Sequence, residues 1–155
     1  MKKFWMLALA AAMGLLLLAG CGTGGEEAYS TDLVQSMVQA GAFSEELDSL
    51  DGDTAFALYK LGDYGLVRED LTDCAVLRSA GATCEEGAVL VLADKDKAAK
   101  ALEAVKAYVD GQITANESYR PAEIPKLKAA ITGERDNTVL LVVANDGEAA
   151  KSAIG

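Results

Sequence analysis

The sequence predicts an α+β domain: a four-stranded antiparallel sheet made of two hairpins, joined by one long amphipathic helix, with helices packed on one face. Three observations carry this. Two short continuous apolar runs, within Glu85 to Ala93 and Thr138 to Ala144, have the length and the β-branched content of buried strands. Each adjoins a weaker stretch across a turn-forming segment, which makes a hairpin of each pair. Between the hairpins, Ala98, Ala101, Leu102, Val105, Val109 and Ile113 recur every three or four positions, as on one face of a helix.

Taken in order, the chain opens on a targeting segment. Lys2 and Lys3 precede an apolar run from Phe4 to Leu18, interrupted at Gly14, and the run leads into Leu18-Ala19-Gly20-Cys21. A membrane span needs about 20 apolar residues, and this run is shorter and ends in small side chains. Small residues before a thiol are what a lipoprotein signal peptidase requires. Residues 1–20 therefore read as a lipoprotein signal peptide, with Leu18, Ala19 and Gly20 as the cleavage motif and Cys21 as the site of lipid attachment. Each buried methylene contributes about 0.8 kcal/mol, so two acyl chains anchor stably where one is marginal. The expected location is the extracytoplasmic face of the cell membrane. Residues 21–30 are small and acidic and read as a flexible tether, which leaves residues 31–155 as a single α+β domain.

Thr31 or Asp32 caps a first helix with Leu33, Val34, Met37 and Val38 on its apolar face, and Gly41 ends it. The carboxylate-rich run Ser44 to Asp53 fits no calcium-loop register, because counting from Asp48 puts Leu50 at a ligand position and counting from Asp51 puts Ala55 there. It reads as a solvated acidic loop. A short helix follows over Thr54 to Leu61, closed by Gly62-Asp63. The first hairpin joins Leu71 to Ala80 with Glu85 to Ala93, turning near Ser79 to Thr83. Asp94 caps the long helix, which runs to about Tyr119 despite an unfavourable interior Gly111, and the chain breaks at Arg120-Pro121. Pro121 to Ala130 forms a short helix. The second hairpin pairs Ala130 to Arg135 with Thr138 to Ala144 around Asp136-Asn137, and Asn145 or Asp146 caps a terminal helix containing Ala149, Ala150 and Ile154.

Charge and composition narrow the function. Loss of Lys2 and Lys3 with the signal leaves 12 of the 14 basic residues against 24 acidic ones in 135 residues, a net charge of −12. Such a surface repels nucleic acid and favours a basic or cation-bridged protein partner. The chain has no histidine, which excludes histidine general-base catalysis and histidine metal sites. There is no G-x-S-x-G elbow, phosphate-binding glycine loop, C-x-x-C pair or dinucleotide fingerprint, so no catalytic residue, metal site or cofactor is expected. Among the many carboxylates, Asp51 with Asp53 and Glu85 with Glu86 are the specific pairs. Adjacent strand residues point to opposite faces, which keeps Glu85 and Glu86 apart.

Cys74 and Cys84 are a candidate disulfide in an exported domain. They face each other if the turn centres on Ser79, whereas Gly81 places the turn later. Tyr59, Tyr64 and Tyr119 sit at element ends, and Tyr119, directly before Arg120-Pro121, is a candidate partner contact. The alternative for Tyr119 is a ring that covers the end of the core with its hydroxyl in solvent.

The acidic strand start Glu85-Glu86 before AVLVLAD, the helix KAAKALEAVKAYVDGQ, the break Tyr119-Arg120-Pro121-Ala122-Glu123 and the ending NTVLLVVANDGEAA together resemble an uncharacterised bacterial lipoprotein family, domain of unknown function 4358. The resemblance runs from about Phe56 to the C-terminus. It implies an exported, lipid-anchored domain of Gram-positive bacteria, and it supplies no activity; Cys74 and Cys84 are not part of its pattern. The expected function is a noncatalytic binding or assembly module held at the membrane by the lipid on Cys21. The alternatives are a carboxylate-dependent extracytoplasmic enzyme and a small-ligand-binding lipoprotein. Against the latter, 135 residues hardly supply two lobes to close around a solute.

Overall fold

In a computed structural model that describes residues 26–155, five antiparallel strands form one sheet: β1 (Asp48–Leu50), β2 (Leu71–Arg78), β3 (Glu86–Leu92), β4 (Ile131–Arg135) and β5 (Thr138–Val143). Their spatial order is β1, β2, β3, β5, β4. Five α-helices accompany them: α1 (Asp32–Gln39), α2 (Gly52–Leu58), α3 (Lys95–Asn116), α4 (Ile124–Lys128) and α5 (Gly147–Ile154). The signal peptide and Cys21 lie outside the described residues. Among those described, no helix is long and apolar enough to cross a membrane.

The two expected hairpins are present. β2 pairs with β3 (Arg78 opposite Glu86) and β4 with β5 (Arg135 opposite Thr138), and Asp136 takes the left-handed conformation, φ 52°, that the tight turn needs. α3 carries the chain between the hairpins so that β3 and β5 become neighbours, Glu86 opposite Val143 and Leu90 opposite Val139. Asp94 caps α3 as expected, accepting from the Lys97 N–H at 2.9 Å. The helix ends at Asn116, short of Tyr119, and is partly amphipathic: Ala98, Ala101, Ala104, Val105 and Val109 are buried, whereas Leu102 and Ile113 are half-buried.

Two expectations are corrected. The sheet has five strands rather than four, because Asp48–Leu50 pairs with Val76–Arg78 as an edge strand. Three residues from an acidic run carry no alternation to announce a strand, and charge is what keeps an exposed edge from pairing with other chains. The run around β1 is also less solvated than expected. Glu45 accepts hydrogen bonds from Ser79 Oγ at 2.7 Å and Thr83 Oγ1 at 2.6 Å, and Asp51 caps α2 through the Thr54 N–H at 2.8 Å.

The second correction concerns layers. Helices cover both faces of the sheet, not one. Alternate side chains of β3 and β5 divide between two cores: Ala88, Leu90, Leu92, Val139, Leu141 and Val143 pack with α2, α3 and α4, while Val89, Leu140 and Val142 pack with α1 and α5. The physical reason is legible in β5, whose six residues are all buried. A strand with no polar face cannot leave either side to water.

The last residues of the expected tether are docked on this second face. The Tyr29 N–H donates to Thr138 Oγ1 at 2.8 Å, and the Arg135 guanidinium lies 4.6 Å from the centre of the Tyr29 ring. Gly133 on β4 makes room, since a Cβ there would come within 2.9 Å of the Tyr29 hydroxyl oxygen.

Coverage of both faces has a direct test in neighbouring residues of β5. Leu140→Ala and Leu141→Ala, which empty opposite cores, should each lower unfolding free energy by about 2–5 kcal/mol in urea titrations. A cost at Leu141 with none at Leu140 would contradict the second layer.

Candidate functional site

At the start of β3 the chain buries two consecutive carboxylates, Glu85 (0% exposed) and Glu86 (2% exposed). Burying a charge is costly unless it is paired and hydrogen-bonded, so the partners of these two groups organise much around them. Glu86 points to the α2 and α3 side of the sheet. It accepts from the hydroxyl of Tyr59, which caps the C-terminus of α2, and from the hydroxyl of Tyr108 in α3 at 2.7 Å. Arg78, its cross-strand partner on β2, brings Nε to 3.3 Å from the same carboxylate and donates to the Tyr108 hydroxyl oxygen at 3.1 Å. The Tyr59 and Tyr108 rings meet edge to face, with centroids 5.0 Å apart.

Glu85 goes elsewhere, as the alternation of a strand requires. It accepts from the Ser44 N–H at 2.7 Å, from Ser44 Oγ at 2.5 Å and from Lys126 Nζ at 2.7 Å, and Lys126 also reaches Glu123 at 3.2 Å. The two adjacent glutamates thus serve separate networks, one tying α2 and α3 to the sheet and one tying α4 to the loop before β1. The other weighed pair is separated too: Asp51 caps α2, while Asp53 pairs with Arg68 at 2.5 Å.

Burial pushes the Glu86 carboxyl above its ordinary range, outweighing the donors from Tyr59, Tyr108 and Arg78. Burial, reinforced by the Glu86 charge, raises the Tyr59 and Tyr108 hydroxyls as well, so both stay protonated donors at neutral pH. Asp70 shifts the other way, held low by the hydrogen bond from Lys97 and by the Val67 N–H.

Beside the Glu86 network a groove of about 590 Å³ opens between α3 and the segment that runs from the end of α2 through a 3-10 turn at Leu61–Tyr64. Tyr59 and Ala104 form its floor. Tyr64 and Tyr108, both half-buried, stand on opposite sides, and Lys60, Asp63, Ala107, Gly111 and Gln112 border the mouth. Lys60 adopts the left-handed conformation, φ 51°, which turns the chain sharply out of α2. Gly111 costs α3 about 1 kcal/mol relative to alanine. No neighbour requires it, because a Cβ there would meet nothing within 4 Å.

The remaining predicted residues are scattered. Cys74 and Cys84 are free thiols and the candidate disulfide is not formed. Cys74 sits opposite Leu90, and Cys84 is six residues before Leu90, about 20 Å away at ~3.3 Å per residue, against the ~7 Å limit of a bridge. Burial raises both thiols above their ordinary range, which leaves little reactive thiolate. Tyr119 is 77% exposed and does not cover the core; its ring lies 5.3 Å from the Arg120 guanidinium, which holds the carbonyls of Gly81 and Thr83. Among the described residues no group of three or more Cys, Asp or Glu side chains is placed to hold a metal ion.

The family model for Domain of unknown function (DUF4358) matches residues 52–144, more than half of the 155-residue chain. The chain belongs to this family. The DUF4358 region starts at the first residue of α2 and ends just beyond β5, so it contains the groove, the Glu86 network and both hairpins. It omits α1, β1 and α5, the elements that cover the second face and extend the edge. The match begins four residues before Phe56, where the resemblance began, and stops short of the C-terminus. Neither curated proteins nor solved structures give a match.

The opposite shifts of Glu86 and Asp70 give a pH test. A carboxyl raised above its ordinary 4.5 makes the folded state bind the extra proton, so its contribution is present below 4.5 and lost as pH rises through the folded value. The stability of wild type minus that of Glu86→Gln should therefore fall between pH 4.5 and neutrality. For Asp70→Asn the same difference should be lost as pH falls below the ordinary 3.8. Denaturant titrations across pH check both; a Glu86 difference that grows with pH would reverse the assignment.

Proposed function

We propose that this protein is a noncatalytic binding module held at the extracytoplasmic face of the cell membrane by a lipid on Cys21, and that it presents the groove between α2 and α3 to its ligand or partner. The observation that carries this reading is the relation between tether and groove. Tyr29 docks on the α1 and α5 face, whereas the groove opens on the opposite face of the sheet. Cys21 precedes Tyr29 by eight residues, a reach of at most about 29 Å at ~3.6 Å per residue. A lipid on Cys21 would keep the domain close to the bilayer, attached on the face of the sheet opposite the groove.

The state of the carboxylates supports binding over catalysis. Among the described residues Glu85, Glu86 and Asp70 are the buried acids, and each already accepts from donors of the chain itself. An acid-base pair needs a proton that can move to a substrate; these carboxylates instead hold helices to strands. The groove, by contrast, has the size of small-ligand sites, about 300–1,000 Å³, and needs no second lobe.

Two measurements on intact cells test the two halves of the proposal. A palmitate analogue should label the wild-type chain and leave Cys21→Ser unlabelled, with the variant moving from the membrane to the soluble fraction. Photocrosslinkers placed at Ala107, in the groove, and at Lys151 on α5 should give an adduct from the first position and none from the second. An unlabelled wild-type chain refutes the anchor; equal or absent adducts at the two positions refute the groove.

A further inference from the structure

We infer that the groove binds an uncharged carbohydrate, a short glycan segment laid against the ring of Tyr108; this rests on the binding-module reading above. Tyr108 offers the groove a fixed apolar surface. Its hydroxyl is engaged by Glu86 and Arg78, and Tyr59 abuts its ring edge to face. The ring is therefore held rigidly, with its polar atom turned toward the Glu86 network, and what it gives the groove is apolar surface in a fixed orientation. Tyr64 stands on the opposite wall.

The mouth supplies the complement. Lys60 and Asp63 are exposed and Gln112 is half-buried, and all three border the groove. A pyranose has an apolar C–H face and a perimeter of hydroxyls that both donate and accept. It matches a fixed aromatic wall edged by a carboxylate, an amide and an ammonium, which together do the same. An apolar ligand or an apolar partner helix would strip water from those three groups without replacing it.

Charge selects within the carbohydrates. Lys60 and Asp63 cancel, so the mouth carries no net charge, and the net negative charge of the chain disfavours acidic or phosphorylated sugars. Gly111 adds room at the same place. It weakens α3 without serving any turn or contact inside the fold, and it leaves the helix backbone open where a ligand would pass Tyr108 and Gln112.

The test uses the full chain in detergent micelles and three neutral probes, chitotriose, cellotriose and maltotriose, followed by calorimetric titration. At least one should bind saturably. Gly111→Leu, which fills empty space with a better helix former, should weaken that binding by about tenfold or more while raising the thermal midpoint. Gln112→Ala should weaken it with the midpoint unchanged, which separates lost contact from lost folding. No binding by any of the three, or equal affinity in Gly111→Leu, overturns the carbohydrate assignment. If the Ala107 crosslinker still captures a protein when all three fail, the binding module stands and the glycan falls; if both fail, so does the groove.

Discussion

The placement of α2 and α3, and with it the groove, depends on one buried carboxylate. Glu86 sits at the first position of a central strand, where an apolar residue would be the simpler choice, and it is sealed from water by the helices that satisfy it. Its acceptors reach one donor from the end of α2, one from the middle of α3 and one from β2. Removing any of these leaves a charge in the interior with a missing partner, which is far costlier than the net gain of making the contact. The network therefore acts as a specification. It sets where α2 and α3 sit relative to the sheet and so sets the spacing of the groove walls. A core of leucines would bind the same helices, but with less control over their register.

Glu85 extends the same logic to the other elements. With Lys126 and Ser44 it fastens α4 and the loop before β1 to the strand start that Glu86 uses for α2 and α3. Two neighbouring residues, pointing apart because they lie on a strand, thereby anchor four segments remote in sequence. Both lie in the DUF4358 region, as do all the partners of Glu86, whereas Ser44 lies outside it. The Glu86 network and the groove are thus internal to the family region, and the second helical layer is built onto it from outside.

Much of the fold could be read from the sequence because its strongest signals are local. The Asp94 cap, the three-to-four spacing from Ala98 to Val109, the Asp136-Asn137 turn and the continuous run in β5 depend on neighbours a few residues away. What escaped was long-range. β1 is an edge strand because β2 offers it Val76–Arg78, and nothing in Asp-Ser-Leu announces that. The second helical layer could have been inferred, since six consecutive buried residues in β5 admit no solvent face. Glu85 and Glu86 were visible as a pair abutting an apolar run, yet an acidic pair is usually solvated, and their burial follows from Ser44, Lys126, Tyr59 and Tyr108, at separations of 22 to 41 residues. Tyr108 gives no signal of its own: it lies just off the apolar stripe of α3, where a tyrosine is an ordinary boundary residue.

The central claim is that Glu86 and its two tyrosines act as one unit rather than as separate contacts. A double-mutant cycle on Glu86→Gln and Tyr108→Phe, read by unfolding free energy at neutral pH, tests it most directly. A shared network gives a coupling of about 0.5–3 kcal/mol, the range for residues joined by hydrogen bonds. Additive effects, within ~0.3–0.5 kcal/mol, would show that the carboxylate does not hold α3 through Tyr108 and would contradict it.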